Sequence, residues 1–223
     1  MQDQQANLIW RDDGTPVSAQ FDDPYYSLDN GLAETQHVFL TGNDLPARFT
    51  NGFHIAELGF GTGLNLLATL DLWRSTGQTG QLRYTTFEAF PMGKRAMMRA
   101  QKSFPELAET AACVMDQWQD TALRLVTNDL DFTLVLGDAR ETLPAWEGAA
   151  NAWFLDGFSP AKNPELWAPS LMAEVARHTA PQGTIATYTA AGFVRRGLQD
   201  AGFIVQRIKG YGRKRHMTVA RKP

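Results

Sequence analysis

From about residue 53 onward, short apolar runs alternate with stretches whose apolar residues recur at helical spacing. Phe53-His54-Ile55-Ala56-Glu57-Leu58 has strand length and closes on glycines, which predicts a buried strand; Leu64 to about Trp73 predicts the helix that follows. Further strands are predicted at 82–87, 133–136, 152–155 and 184–188, with helices at 91–103, from Ala139, at 169–178 and at 193–201. Two last strands, 204–208 and 217–220, are separated only by the glycine and basic loop Gly210–His216. That loop is too short for a crossover, so they pair as an antiparallel hairpin. Continuous apolar runs belong to strands covered on both faces. The expected fold is therefore α/β: a doubly wound, mostly parallel seven-stranded sheet that ends in an antiparallel hairpin. The first fifty residues differ, being polar and rich in turn signals (Asp12-Asp13-Gly14-Thr15-Pro16, Asp22-Asp23-Pro24, Asp29-Asn30-Gly31), with one helix predicted from Leu32 to Leu40. They form an N-terminal extension, 1–50, ahead of an α/β domain, 51–223.

Composition narrows the class without naming a function. The 223 residues are 43% hydrophobic and 20% charged, enough apolar material for one domain's core. No apolar stretch reaches the roughly 18 residues of a membrane span. Met1-Gln2-Asp3-Gln4-Gln5 lacks the basic and apolar regions of a signal peptide, so a soluble, cytoplasmic protein is expected. Cys113, the only cysteine, excludes an intrachain disulfide and a cysteine-based metal cluster, and is expected to be a small buried apolar residue. His54 in a strand and His178 near a helix end are expected to pack or cap; His37 and His216 have no metal-ligand spacing, and no metal is expected.

Charge adds more. The chain carries −3 overall, yet residues 191–223 hold nine basic residues (Arg195, Arg196, Arg207, Lys209, Arg213, Lys214, Arg215, Arg221, Lys222) against Asp200 alone. Such asymmetry points to localised contact with a polyanion, the plainer alternative being a solvated basic terminus.

Ligands of open α/β sheets bind beyond the carboxyl ends of the strands. The loop Gly59-Phe60-Gly61-Thr62-Gly63, with Asn65 just beyond it, sits at such an end, where glycines let the backbone approach a ligand. Its spacing is G-x-G-x-G rather than the dinucleotide G-x-G-x-x-G, and Glu57 precedes it by two residues. A carboxylate there repels a pyrophosphate but suits the ammonium of a methionine moiety, which favours S-adenosylmethionine. Glu88 ends the second strand and can accept both hydroxyls of a ribose, in either class of cofactor. Asp138 is placed to accept from an adenine amino group or to cap the helix that begins at Ala139; the sequence does not choose. Asp156-Gly157-Phe158-Ser159-Pro160 ends another strand, where an aspartate can hold an amine while the aromatic ring stacks on a base. An alkyl ammonium with a pKa of about 10.4 must lose its proton before nitrogen accepts a methyl group, and Asp156 is the candidate acceptor. Lys162 extends this loop.

Together, the segments 21–27, 29–35, 59–65, 87–91, 153–164 and 191–198, with Gly210-Tyr211-Gly212-Arg213-Lys214-Arg215, resemble the methyltransferase domain of the MnmC family over nearly the whole chain. The run Asp-Gly-Phe-Ser-Pro-Ala-Lys-Asn-Pro at 156–164 is its most specific part. The resemblance implies a class I S-adenosylmethionine-dependent methyltransferase, Rossmann-like, with the extension closing over the active site. It implies methylation of 5-aminomethyl-(2-thio)uridine at the tRNA wobble position to the 5-methylaminomethyl product. Glu57, Gly59, Phe60, Gly61, Thr62, Gly63, Asn65, Glu88, Asp138, Asn30, Gly31 and Asp156 would then surround the cofactor. Tyr25, Tyr26, Phe158, Pro160 and Lys162 would meet the substrate, and Arg195, Arg196, Arg213, Lys214 and Arg215 would meet tRNA phosphates near the anticodon. Bifunctional members continue into a flavin-dependent oxidoreductase. This sequence stops at Pro223 without a second dinucleotide loop, so no FAD chemistry is expected, and another enzyme or pathway would supply the aminomethyl substrate. The competing readings are a nicotinamide-dependent oxidoreductase, disfavoured by the loop spacing and Glu57, and a non-catalytic RNA-binding module, disfavoured by Asp156 beside an intact loop.

Overall fold

A computed structural model describes residues 5–119 and 123–223; the opening Met1–Gln4, part of the stretch read for a leader signal, lies outside them. The extension begins with three short antiparallel strands, β1 (Leu8–Trp10), β2 (Pro16–Ser18) and β3 (Asp23–Pro24). Strands of two and three residues leave no periodic signal, and none was expected. The predicted 32–40 helix is shorter: α1 (Gly31–Thr35) gives way to a π-helical turn over Gln36–Leu40. Val38, Phe39 and Leu40 are buried in the same core as Ile55, Tyr84 and Phe154, so the extension shares its interior with the main sheet.

That sheet follows the predicted alternation. In chain order come β4 (His54–Leu58), α2 (Leu64–Ser75), β5 (Leu82–Glu88), α3 (Lys94–Gln101), α4 (Ala108–Gln117), β6 (Arg124–Val126), β7 (Leu130–Leu136), α5 (Ala139–Thr142), β8 (Ala150–Leu155), α6 (Pro169–Arg177), β9 (Thr179–Thr187), α7 (Gly192–Asp200), β10 (Ile204–Lys209) and β11 (His216–Arg221). The spatial order is β10-β11-β9-β8-β4-β5-β7-β6. β7, β5, β4, β8 and β9 run parallel, and β10 and β11 close the sheet as the expected antiparallel hairpin. The seven anticipated strands are joined by an eighth, β6, antiparallel on the far edge. From β4 the chain winds outward through β5 to β7, then returns to the other side for β8 and β9. The reversal opens a crevice between the tips of β4 and β8.

Two cores flank the sheet, one under α2 and α4 and one under α6 and α7. Helix α4 was not anticipated, and it corrects the expectation for Cys113. The helix buries Thr110, Ala111, Val114 and Met115, which leaves Cys113 on its exposed side, 3.7 Å from Arg74. His54 is buried beside Thr85 Oγ1 at 2.9 Å, and burial lowers its pKa to about 4, so it stays neutral. His178 follows α6 and its Nδ1 lies 2.8 Å from the Gly148 carbonyl. Among the described residues no His, Cys, Asp and Glu cluster suits a metal, and no helix is long and apolar enough to cross a membrane.

Arg48 fastens the extension to the sheet. Its guanidinium donates to the Asn43 carbonyl at 3.1 Å, the Asn151 carbonyl at 3.0 Å and the Thr184 hydroxyl. Arg48→Ala strips donors from these carbonyls and is expected to cost about 2 kcal/mol. Urea denaturation should show a lower midpoint with an unchanged slope.

Candidate active site

The glycine loop is shaped first by the neighbouring strand. Gly59 has φ +89°, and a Cβ there would lie 2.0 Å from the Asp156 carbonyl oxygen. Only glycine permits this backbone sign and this approach together. Gly59 donates to the Phe87 carbonyl and Asp156 to the Leu58 carbonyl, both at 3.0 Å, so three strand tips are laced across the switch point. Gly61, with φ +54°, lies beneath the Tyr25 ring, which a Cβ would approach to 3.0 Å. The loop thus presents bare backbone to the extension, as a ligand cradle requires.

Around this loop lies a cavity of about 850 Å³, a size suited to a nucleoside ligand. Of the residues proposed for the cofactor, Gly59, Phe60, Gly61, Thr62, Asn65, Glu88, Asp138 and Asp156 line it. Glu88 takes both the Phe60 and Gly61 amides on Oε2, at 3.0 and 3.1 Å, and the Phe90 amide on Oε1 at 2.8 Å. The loop amides therefore face a carboxylate of the protein itself. Asp138 caps α5 through the Arg140 amide at 2.8 Å and pairs with the Arg140 guanidinium at 2.5 Å while lining the cavity. Its capping role is a fact of the fold.

Four expected positions lie elsewhere. Gly63 starts α2 in a left-handed conformation, off the cavity wall. Asn30 caps α1 by accepting from the Ala33 amide at 2.9 Å, and with Gly31 it borders a separate cavity of about 270 Å³. Glu57 is fully buried behind the wall, because its place on β4 turns its side chain toward α2.

The substrate positions divide similarly. Phe158 stacks on Phe21 at 4.8 Å and meets Tyr25 edge-on at 5.1 Å, giving the mouth an aromatic wall. Tyr26 lines the cavity and its hydroxyl donates to Ser103 at 3.2 Å. Lys162 ties its loop to the extension, pairing with Asp22 at 3.3 Å and Asp23 at 3.6 Å, while the Ser159 amide donates to Asp23 at 2.8 Å. Pro160 lies off the wall. Arg195, Arg196, Arg213 and Arg215 lie outside the cavity, but Lys214 turns inward. It pairs with Glu34 at 2.8 Å and sits 4.4 Å over the Tyr188 ring. Arg221 bonds Gln182, and Lys222 donates to the Ala176 and Thr179 carbonyls, so part of the basic segment serves the fold.

Asp156 sits at the centre of this enclosure. Burial raises its pKa to about 7, and the nearby Glu34 carboxylate pushes the same way; the Asn65 amide, 2.6 Å away, and the Lys214 charge oppose them. Sequence reasoning missed Glu34, Thr35, Phe21 and Tyr188. Tyr188 alone left a signal, as a polar aromatic at the end of a predicted strand.

A family model described as S-adenosyl-L-methionine-dependent methyltransferase matches residues 105–223. The bifunctional protein MnmC of Caulobacter sp. (strain K31), named for tRNA 5-methylaminomethyl-2-thiouridine biosynthesis, is 48% identical over 97% of this chain and 38% of its own length. Its namesake from Pseudomonas aeruginosa (strain UCBPP-PA14) is 44% identical over 96% of this chain and 34% of its own. The chain thus spans little more than a third of the curated relatives it matches. The crystal structure of MNMC2 from Aquifex aeolicus superposes with a TM-score of 0.79 at 26% identity, over 96% of this chain and 70% of that one. A precorrin-6y C5,15-methyltransferase from Geobacter metallireducens shares the fold at a TM-score of 0.53 and 16% identity.

The contact between Gly59 and Asp156 can be separated from simple backbone strain. Gly77 also has positive φ, +66°, but open space around its Cβ position. Gly77→Ala is expected to cost about 1 kcal/mol, and Gly59→Ala about 3 kcal/mol or more, a fall in Tm of roughly 10 °C. Thermal melts of the two variants side by side measure the clash.

Proposed function

The chain belongs to the S-adenosyl-L-methionine-dependent methyltransferases, and from that membership we propose that it methylates the exocyclic amine of 5-aminomethyl-(2-thio)uridine at the tRNA wobble position, giving the 5-methylaminomethyl nucleoside. The observation that carries the reading is Asp156, a carboxyl with a pKa raised to about 7, set between the glycine loop and the Phe158 wall. The relatives named for this tRNA nucleoside support the choice of acceptor. No feature of the site favours a nicotinamide oxidoreductase or a non-catalytic module.

In the proposed complex Glu88 faces the ribose hydroxyls, the Gly59–Thr62 backbone and Asp138 flank the adenosine, and Phe158, Phe21 and Tyr25 enclose the acceptor base. When bound, S-adenosyl-L-methionine supplies an electrophilic methyl group on its sulfonium sulfur. Asp156, as carboxylate, accepts a hydrogen bond from the substrate ammonium and takes one of its protons, freeing the nitrogen lone pair. Nitrogen would then gain the methyl group as the methyl–sulfur bond breaks, leaving S-adenosylhomocysteine and a secondary ammonium. Arg195, Arg196, Arg213 and Arg215 are proposed to hold phosphates of the anticodon arm, in a cytoplasmic enzyme.

The direct test supplies tRNA bearing 5-aminomethyluridine with adenosylmethionine and weighs the nucleoside. A gain of one methyl group is expected, and no gain sinks the proposal. Asp156 must be ionised to accept a proton, so the rate is expected to fall as pH drops through about 7. Asp156→Asn should keep cofactor affinity and lose roughly a hundredfold or more in kcat; a near-normal rate would place the acceptor elsewhere. Arg213→Ala with Arg215→Ala should weaken tRNA binding and flatten its salt dependence, leaving the inward Lys214 untouched. Equal affinity at every salt concentration would remove the hairpin from the RNA surface.

A further inference from the structure

Glu57 invites assignment to the ammonium of the cofactor, but it occupies another place. It is fully buried and absent from the cavity wall, with Asn65 between it and Asp156. Asn65 Nδ2 donates to Glu57 Oε1 at 2.9 Å and to Asp156 Oδ2 at 2.6 Å. Its Oδ1 accepts from the Thr35 hydroxyl at 2.9 Å, which fixes the amide's orientation. One neutral side chain therefore joins two carboxyl groups and the extension.

Among the described residues, no cation pairs with Glu57 or stands among the charges that act on it. In the register of β4 on β5, Glu57 lies opposite Thr86, and Tyr84 points to the same face. Glu57 Oε2 and the hydroxyls of Thr86 and Tyr84 are buried together, each without a hydrogen-bond partner of good geometry among the described residues. Either hydroxyl can donate to a carboxylate or accept from a carboxylic acid, so these two groups do not by themselves require a charge on Glu57. Full burial opposes ionisation most and Asp156 across Asn65 adds to it, and together they outweigh the polar groups of Asn65, Thr86 and Tyr84, which favour the charged form.

We infer that Glu57 is an uncharged strut beneath Asp156, acting through Asn65 as a positioning pair, rather than a ligand of the cofactor's ammonium. Asn65 holds Asp156 Oδ2 at the cavity floor and stabilises its ionised form. Glu57 takes the other amide hydrogen and keeps Asn65 from turning. The groups that face this unit are Tyr84 from β5, Glu34 from α1, Tyr188 beyond β9 and Lys214 from the β10–β11 loop. The Asn65 part rests on the proton-accepting role proposed for Asp156; the Glu57 part does not.

Glu57→Gln in the full chain separates the two accounts without tRNA, because glutamine keeps a carbonyl for Asn65 and offers N–H donors to the hydroxyls. Calorimetry with S-adenosylhomocysteine, which carries the same ammonium, should give a Kd within about twofold of wild type. A loss of tenfold or more would overturn the inference and return Glu57 to the cofactor. Unfolding of the ligand-free protein gives a second readout. The unfolded chain ionises Glu57 above its ordinary value of 4.5 while the folded chain keeps it protonated, so wild-type stability falls as pH rises from there. The folding constant of Glu57→Gln should gain about tenfold on wild type per pH unit above roughly 5, and parallel profiles would contradict an uncharged strut. Asn65→Ala should move the acid limb of kcat up by about one pH unit. An unmoved limb would end Asn65's positioning role, and if this variant fails to fold the Glu57→Gln measurements still decide the matter.

Discussion

The tips of β4 and β8 approach so closely that a glycine hydrogen fills the space between them, and much of the site takes its shape from that contact. Gly59 lies against the Asp156 carbonyl while the Asp156 amide is held by Leu58. The approach falls where the winding of the sheet reverses, so it sets both the crevice and the direction in which the Asp156 side chain leaves the backbone. A substituent at residue 59 would push the carboxyl away from Asn65, whose 2.6 Å hydrogen bond leaves little slack. The glycine is thus as much a requirement of the acid as of any ligand.

The extension completes what the strand tips begin. Phe21, Tyr25 and Tyr26 wall the cavity, Thr35 orients Asn65, and Glu34 pairs with Lys214 from the opposite end of the chain. Within the cavity the cations are each matched: Lys162 by Asp22 and Asp23, Lys214 by Glu34, Arg140 by Asp138. Asp156 pairs with no cation among the described residues, and Glu88 is occupied by backbone amides. In the proposed complex, an acidic interior beside a basic C-terminal surface separates two kinds of recognition, with phosphates met outside and the amine inside.

The sequence made the frame legible where apolar runs were long. β4, β5 and β8 lie within about two residues of their predicted spans, since parallel strands buried on both faces read as unbroken hydrophobic segments. β1 to β3, β6 and α4 escaped notice. The first four are two or three residues long, and α4 follows directly on the stretch read as a single helix over 91–103. At the site, residue type revealed the acids but not their directions. Glu57 and Glu88 are both acids near strand tips, yet one points into the core and the other into the cavity. Lys214 belongs to a basic triplet read as meeting tRNA phosphates, and only the folded hairpin turns it toward Glu34. Asn30 and Gly31 sit in a family-like segment whose local job is to start a helix.

The raised pKa of Asp156 bears on the chemistry of the proposed amine. An ordinary carboxylate, at 3.8, lies about 6.6 units below an alkyl ammonium, a difference of roughly 9 kcal/mol for moving the proton between them. Burial that brings Asp156 to about 7 closes about half of that gap before the substrate's own environment is counted. The same enclosure acts on the ammonium with the opposite sign, since desolvation disfavours its charge, and Lys214 lies close enough to disfavour it further. Asn65 limits the shift, keeping Asp156 ionised in a useful fraction at neutral pH rather than permanently protonated. A carboxyl raised further would hold its own proton, and one left at its solution value would be too weak an acceptor. Burial and the Asn65 amide set the balance between those failures.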